Sequence, residues 1–176
     1  MSLTHRRKLI AGAIAAMSVA TLAHASAPQP RQPIDPERFA GRWYEIARTP
    51  NRLQPTCQRL AIDFTRTSSG FDVTNTCTRA NGNSDRVQAT ATITDRNTNA
   101  KMRMTARGIR AVAGSQEYWV LDRAGDYSWA IMATPGGNYF WLWSRNASPS
   151  ASQRQAMLAR VQALGYNTSN AVVTGG

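Results

Sequence analysis

Histidine is almost missing from this chain. The 176 residues hold two, His5 and His24, and both fall in the first 25. If that segment is removed after export, the rest has none. That excludes a histidine-based triad, a histidine-ligated metal and a histidine-ligated haem. Cysteine is also scarce: Cys57 and Cys77 are the whole supply, and no C-x-x-C occurs. No carboxylate pair, phosphate-cradling loop or nucleophile elbow is present, so no metal or cofactor is expected and catalysis lacks its usual parts. After residue 25 the only lysine is Lys101. No apolar run reaches the roughly 20 residues that span a bilayer.

The first 25 residues read as a cleaved signal peptide. Arg6, Arg7 and Lys8 make a short basic start. Leu9 to Leu22 is uncharged and rich in alanine, and Ala23-His24-Ala25 has the small-x-small form of a cleavage site. No cysteine follows that site, so a lipid-anchored N-terminus is not expected. Arg6-Arg7-Lys8-Leu9-Ile10 fits a twin-arginine signal and equally the basic segment of an ordinary one. Either route predicts a periplasmic chain.

Arginine dominates the remaining charge. Removing Arg6, Arg7 and Lys8 from 21 basic residues leaves 18 against 10 acidic, an excess of eight. The arginines are spread along the chain and the protein is exported, so nucleic acid is excluded as a partner. A solvated surface accounts for most of them.

Residues 26–37 hold Pro28, Pro30, Pro33 and Pro36 and read as an extended lead-in without regular structure. One domain is expected over 38–176. Short runs then alternate between apolar and polar residues, which marks strands with one buried face. Trp43 to Ala47 is the first. Leu60, Ile62 and Phe64 follow, then Phe71 and Val73, then Val87, Ala89, Ala91 and Ile93. Met102 and Met104 come next, and Tyr118–Leu121, Tyr127–Ala133 and Tyr139–Trp143 complete the set. Eight runs with short links predict an all-β fold, an eight-stranded antiparallel up-and-down β-barrel closed on itself. One helix is expected near the C-terminus, capped by Ser150 and stopped at Gly165. Its stripe of Met157, Leu158, Val161 and Leu164 is expected to pack outside the barrel. Cys57 and Cys77 flank a hairpin turning at Ser68-Ser69. A disulfide is the first expectation in an oxidising compartment, with two free thiols as the alternative.

The motifs resemble the lipocalin family. Gly41-Arg42-Trp43 is its G-x-W signature, and Trp43-Tyr44-Glu45-Ile46-Ala47-Arg48 is similar to the extended form in bacterial, apolipoprotein D-related members. Tyr139 to Arg145 resembles the family's last barrel strand. The likeness runs from about Phe39 to the C-terminus. It implies a lipocalin calyx in which Gly41, Trp43 and Arg145 are structural, the arginine lying across the tryptophan at the closed end.

The resemblance also implies a small hydrophobic ligand with a polar head, a fatty acid or a lysophospholipid, stored or carried in support of the outer membrane. The expected calyx wall is Ala89, Ala91, Met102, Met104, Tyr118, Tyr139 and Trp141. Arg107 or Arg110 at the open end is a candidate for attracting the head. Peripheral contact with the outer membrane and a homodimer are both compatible with the family. Two other readings stand beside this one. The chain is a lipid- or isoprenoid-modifying enzyme using a carboxylate such as Glu45 or Asp63, or its barrel is filled and it acts as an interaction protein.

Overall fold

Each alternating run becomes a strand. The computed structural model describes residues 26–174 apart from Arg31, Leu53, Pro55 and 109–113, so the expected signal peptide and Arg110 lie outside the described residues. The barrel strands are β1 (Gly41–Arg48), β2 (Arg59–Thr67), β3 (Gly70–Thr78), β4 (Ser84–Ile93), β5 (Lys101–Ala106), β6 (Ser115–Arg123), β7 (Trp129–Ala133) and β8 (Phe140–Ser144). Each pairs antiparallel with the next, and β1 pairs with both β2 and β8. The sheet therefore closes, and its edge groups are satisfied within the ring.

The residues of one face gather inside. Ile62, Phe64, Phe71, Val73, Ala89, Ala91, Met102 and Val120 belong to one buried cluster with Trp43, Trp141 and Trp143. The opposite face of β1, β7 and β8 forms a second cluster: Ile46, Ala47, Ile131, Phe140 and Leu142 meet Met157 and Val161. Those last two lie on α1, a helix at Ala151–Ala163 packed outside the barrel as expected. Leu158 and Leu164 of the same stripe are half-buried against it. Ser150 and Gln153 close a reciprocal capping box. Gly165 follows the helix at φ +92°, a left-handed conformation that favours glycine.

Four local expectations are corrected. The lead-in ends in a one-turn helix at Pro36–Phe39, with Asp35 as N-cap and proline in the first turn, where its missing N–H costs nothing. The chain thus has a second helix, and the lead-in is not wholly irregular. The seventh strand starts at Trp129, not Tyr127. Tyr127 sits in a turn at φ +63°, with its ring buried and its hydroxyl accepting from the Asp35 N–H at 2.8 Å. The eighth strand starts at Phe140, one residue after Tyr139. The tail adds a short strand, β9 (Val172–Val173), which pairs with Ala47 and Arg48 above the point where β2 leaves β1.

Aromatic rings fill the closed end. Phe39 meets Trp43, Phe64 and Phe71 at centroid distances of 5.2, 5.3 and 5.9 Å. Arg145 lies 3.8 Å above the Trp43 ring and donates to the carbonyls of Arg38, Phe39, Ala40 and Arg42. Gly41 has φ +92°, and a Cβ there would stand 3.3 Å from Arg145 Nη1. The backbone conformation favours glycine here, and a side chain would also crowd the guanidinium above it.

At the open end Cys57 and Cys77 are bonded, their Cα atoms 5.5 Å apart. The bridge ties the end of the β1–β2 connection, residues 49–58, to the top of β3. Closing a loop of this length contributes about 3 kcal/mol by restricting the unfolded chain.

Candidate functional site

Strand register brings the expected wall residues together. Val73, Ala89 and Ala106 share one row across β3, β4 and β5. Phe71, Ala91, Met104 and Gln116 share the next, and Ile93, Met102 and Tyr118 the one after. Residues directly opposite across a sheet point to the same side. Ala89, Ala91, Met102 and Trp141 lie in the inner cluster, with Met104 and Tyr118 packed against it. The Tyr118 and Trp141 rings are 5.3 Å apart. Burial pushes the Tyr118 hydroxyl above its ordinary value. Tyr139 is 39% exposed and stacks on Trp141 from the rim, at 6.1 Å.

One polar group intrudes on this surface. Glu45 follows Trp43 at period two and faces inward, opposite Trp143. Strict alternation would turn Ala47 inward next and Arg48 outward. A β-bulge between Glu45 and Ala47 changes that. Ile46 and Ala47 both pack outward, and Arg48 comes into register with Trp141 on the inner side. Arg48 then donates to Glu45 Oε1 at 2.5 Å, with the two side chains 4% and 0% exposed. Gln54, on the β1–β2 connection, caps the pair. Its carbonyl accepts from Arg48 at 2.9 Å, its amide donates to Glu45 at 3.1 Å, and its side-chain oxygen accepts from Trp141 Nε1 at 3.2 Å. Burial raises the Glu45 carboxyl from its ordinary value, while Arg48 and Gln54 pull it back.

Arg48 and Gln54 were not among the residues expected from sequence. Arg48 sits three residues after Glu45, a spacing that places two strand residues on opposite faces, so only the bulge reveals the pair. Of the other expected polar residues, Arg107 is half-exposed and pairs with Asp72. Asp63 pairs with Arg42 on the outside. Neither joins the interior. Two surface hollows flank the outer helix: one of about 540 Å³ between it and the ends of β7 and β8, the other of about 320 Å³ beside β6. Both lie outside the barrel.

The Lipocalin-like domain family matches residues 34–174. The chain belongs to the lipocalin family. It is 28% identical to the outer membrane lipoprotein Blc of Escherichia coli (strain K12) over 169 residues, covering 92% of each chain. It is also 28% identical to temperature-induced lipocalin-1 of Arabidopsis thaliana over 141 residues, covering 76% of this chain and 74% of that one. Among solved structures, insecticyanin from the tobacco hornworm Manduca sexta superposes with a TM-score of 0.67 at 20% identity, covering 84% of each chain. Lobster apocrustacyanin A1 superposes with a TM-score of 0.61 at 13% identity. These structures share the lipocalin barrel with this chain. The match to Blc makes it a Blc-like bacterial lipocalin.

Proposed function

We propose that this lipocalin holds a single-chain amphiphile, a fatty acid or a lysophospholipid, in the upper half of its barrel. It stores or carries that molecule in the periplasm in support of the outer membrane. The observation that carries the reading is the convergence of Ala89, Met104, Tyr118 and Trp141 beneath Gln54, a single residue on the connection that crosses the mouth. Below them the aromatic plug fills the barrel, so the ligand chain lies above it. Each methylene taken from water is worth about 0.8 kcal/mol, so one acyl chain supplies most of the driving force.

Family membership supports a small hydrophobic ligand. The name of the Blc relative, an outer membrane lipoprotein, supports an outer-membrane setting. The basic, apolar and A-x-A segments of residues 1–25 support export. Glu45 is a structural carboxylate in this reading, held by Arg48 and Gln54, and the protein is not an enzyme.

Titration with a fluorescent acyl-chain probe tests the proposal. The intact protein binds saturably at one site. Trp141→Ala and Tyr118→Ala each weaken binding by about 10–100-fold, the loss expected for removing an aromatic wall. Unchanged affinity in both variants would refute the barrel site.

A further inference from the structure

A charged residue occupies a wall position where the lipocalin interior calls for an apolar one. The Arg48 guanidinium is 4% exposed, and its Nε–H meets no acceptor among the described residues. Stability does not explain its presence. A buried ion pair contributes little net stability compared with well-packed apolar side chains, and an unmet buried N–H is costly. The bulge in β1 nevertheless turns this side chain inward beside Trp141.

Gln54 shows what these donors accept. Two donors of the inner wall, Arg48 Nη2–H and Trp141 Nε1–H, each end on an oxygen of this one loop residue. A carboxylate or phosphate offers two or more oxygens to the same donors, and a guanidinium with a free Nε–H can take one side-on. We propose that Arg48 and Trp141 Nε1 form an internal subsite for the anionic head of the ligand, whose oxygens take the place of those of Gln54. Glu45 keeps its bond to Arg48 Nη1, and its charge opposes the incoming anion at Nη2 and Nε. The subsite rests on the amphiphile reading above and adds to it a preference for anionic over neutral heads.

The test compares three ligands with one acyl chain: oleate, oleoyl lysophosphatidate and oleyl alcohol. Calorimetric titration of the wild-type protein is expected to give at least one anionic ligand an advantage of about tenfold or more over the alcohol, the effect of a charge-assisted hydrogen bond. The better of the two anions identifies the head as carboxylate or phosphate. Glu45→Gln removes the opposing charge and widens the advantage. Glu45→Gln/Arg48→Gln, which buries no charge and so avoids the folding penalty of either single change, binds all three equally and keeps the affinity for the alcohol. Equal binding of the three ligands by the wild type overturns the subsite and leaves the amphiphile reading intact, as does a preference that survives in the double variant. Failure of all three ligands to bind overturns both.

Discussion

Replacing Trp43 with alanine lowers the stability of the folded chain by about 3–5 kcal/mol. For a domain of this size that moves the thermal midpoint down by roughly 6–20 °C. Trp43 is fully buried, packs on Phe39 and lies beneath the Arg145 guanidinium. Its Nε1–H reaches the Phe39 carbonyl at 2.9 Å, which ties β1 to the one-turn helix before it. Alanine leaves a cavity among rings that cannot close on it and strands Arg145 above the hole. Trp43→Phe keeps most of the packing but loses the hydrogen bond and part of the cation–π contact, at about 1–2 kcal/mol. The proposed ligand site lies at the other end of the barrel. Below its lowered midpoint, Trp43→Ala therefore binds an acyl-chain probe as the wild type does. Differential scanning calorimetry with the same probe titration checks both halves. A stable Trp43→Ala variant that has lost binding would reverse the roles given to the two ends.

Arg48→Leu is expected to be the second large loss, and one that depends on pH. Removing one partner of a buried ion pair costs about 3–5 kcal/mol at neutral pH, because the other charge is left without compensation. Here the abandoned group is Glu45, whose carboxyl burial already raises. Without Arg48 to oppose it, that rise is larger. A carboxyl raised in the folded state above its unfolded value favours the protonated fold. Its contribution is fully present below the unfolded carboxylate value, about 4.3, and is lost as pH rises through the folded one. Arg48→Leu therefore comes closest to wild-type stability near pH 4 and falls away from it toward pH 7. Glu45→Gln/Arg48→Leu has no carboxyl to titrate there, so it lacks the fall toward pH 7 that Arg48→Leu shows. Urea unfolding at a series of pH values measures the three curves. Parallel curves for wild type and Arg48→Leu would mean that Glu45 is not the group left uncompensated.

Much of the fold was legible because most strands bury only one face. In β2 and β4 alternation survives in the sequence and names the inner residues directly, Ile62 and Phe64 in one, Ala89 and Ala91 in the other. The closed-end signature was legible for a different reason. Gly41, Trp43 and Arg145 answer one packing problem and tolerate few substitutes. In β7 and β8 the sequence says less. The outer helix covers their second face, so both faces are apolar and the strand starts at Trp129 and Phe140 are blurred. The helix at Pro36–Phe39 is too short to carry a period, although Asp35-Pro36 is a start signal in itself.

The inward-facing residues were legible and the polar group above them was not. Period two turns Ala89, Ala91, Met102 and Met104 inward, while Tyr118 and Trp141 joined them through the family resemblance. Arg48 breaks that period, since one extra residue at the bulge reverses the facing of everything after it. Gln54 belongs to a connection with no period, and only the folded chain brings it over Trp141. The charged half of the site thus depends on one backbone irregularity and one loop.

Native mass spectrometry of the protein purified from its source cells tests the proposed amphiphile in the barrel most directly. A fraction of the protein is expected to carry one added mass, released on activation as a single-chain anionic amphiphile and diminished in Trp141→Ala. Protein that is consistently isolated without added mass, and takes up no fatty acid or lysophospholipid when these are supplied, would contradict it.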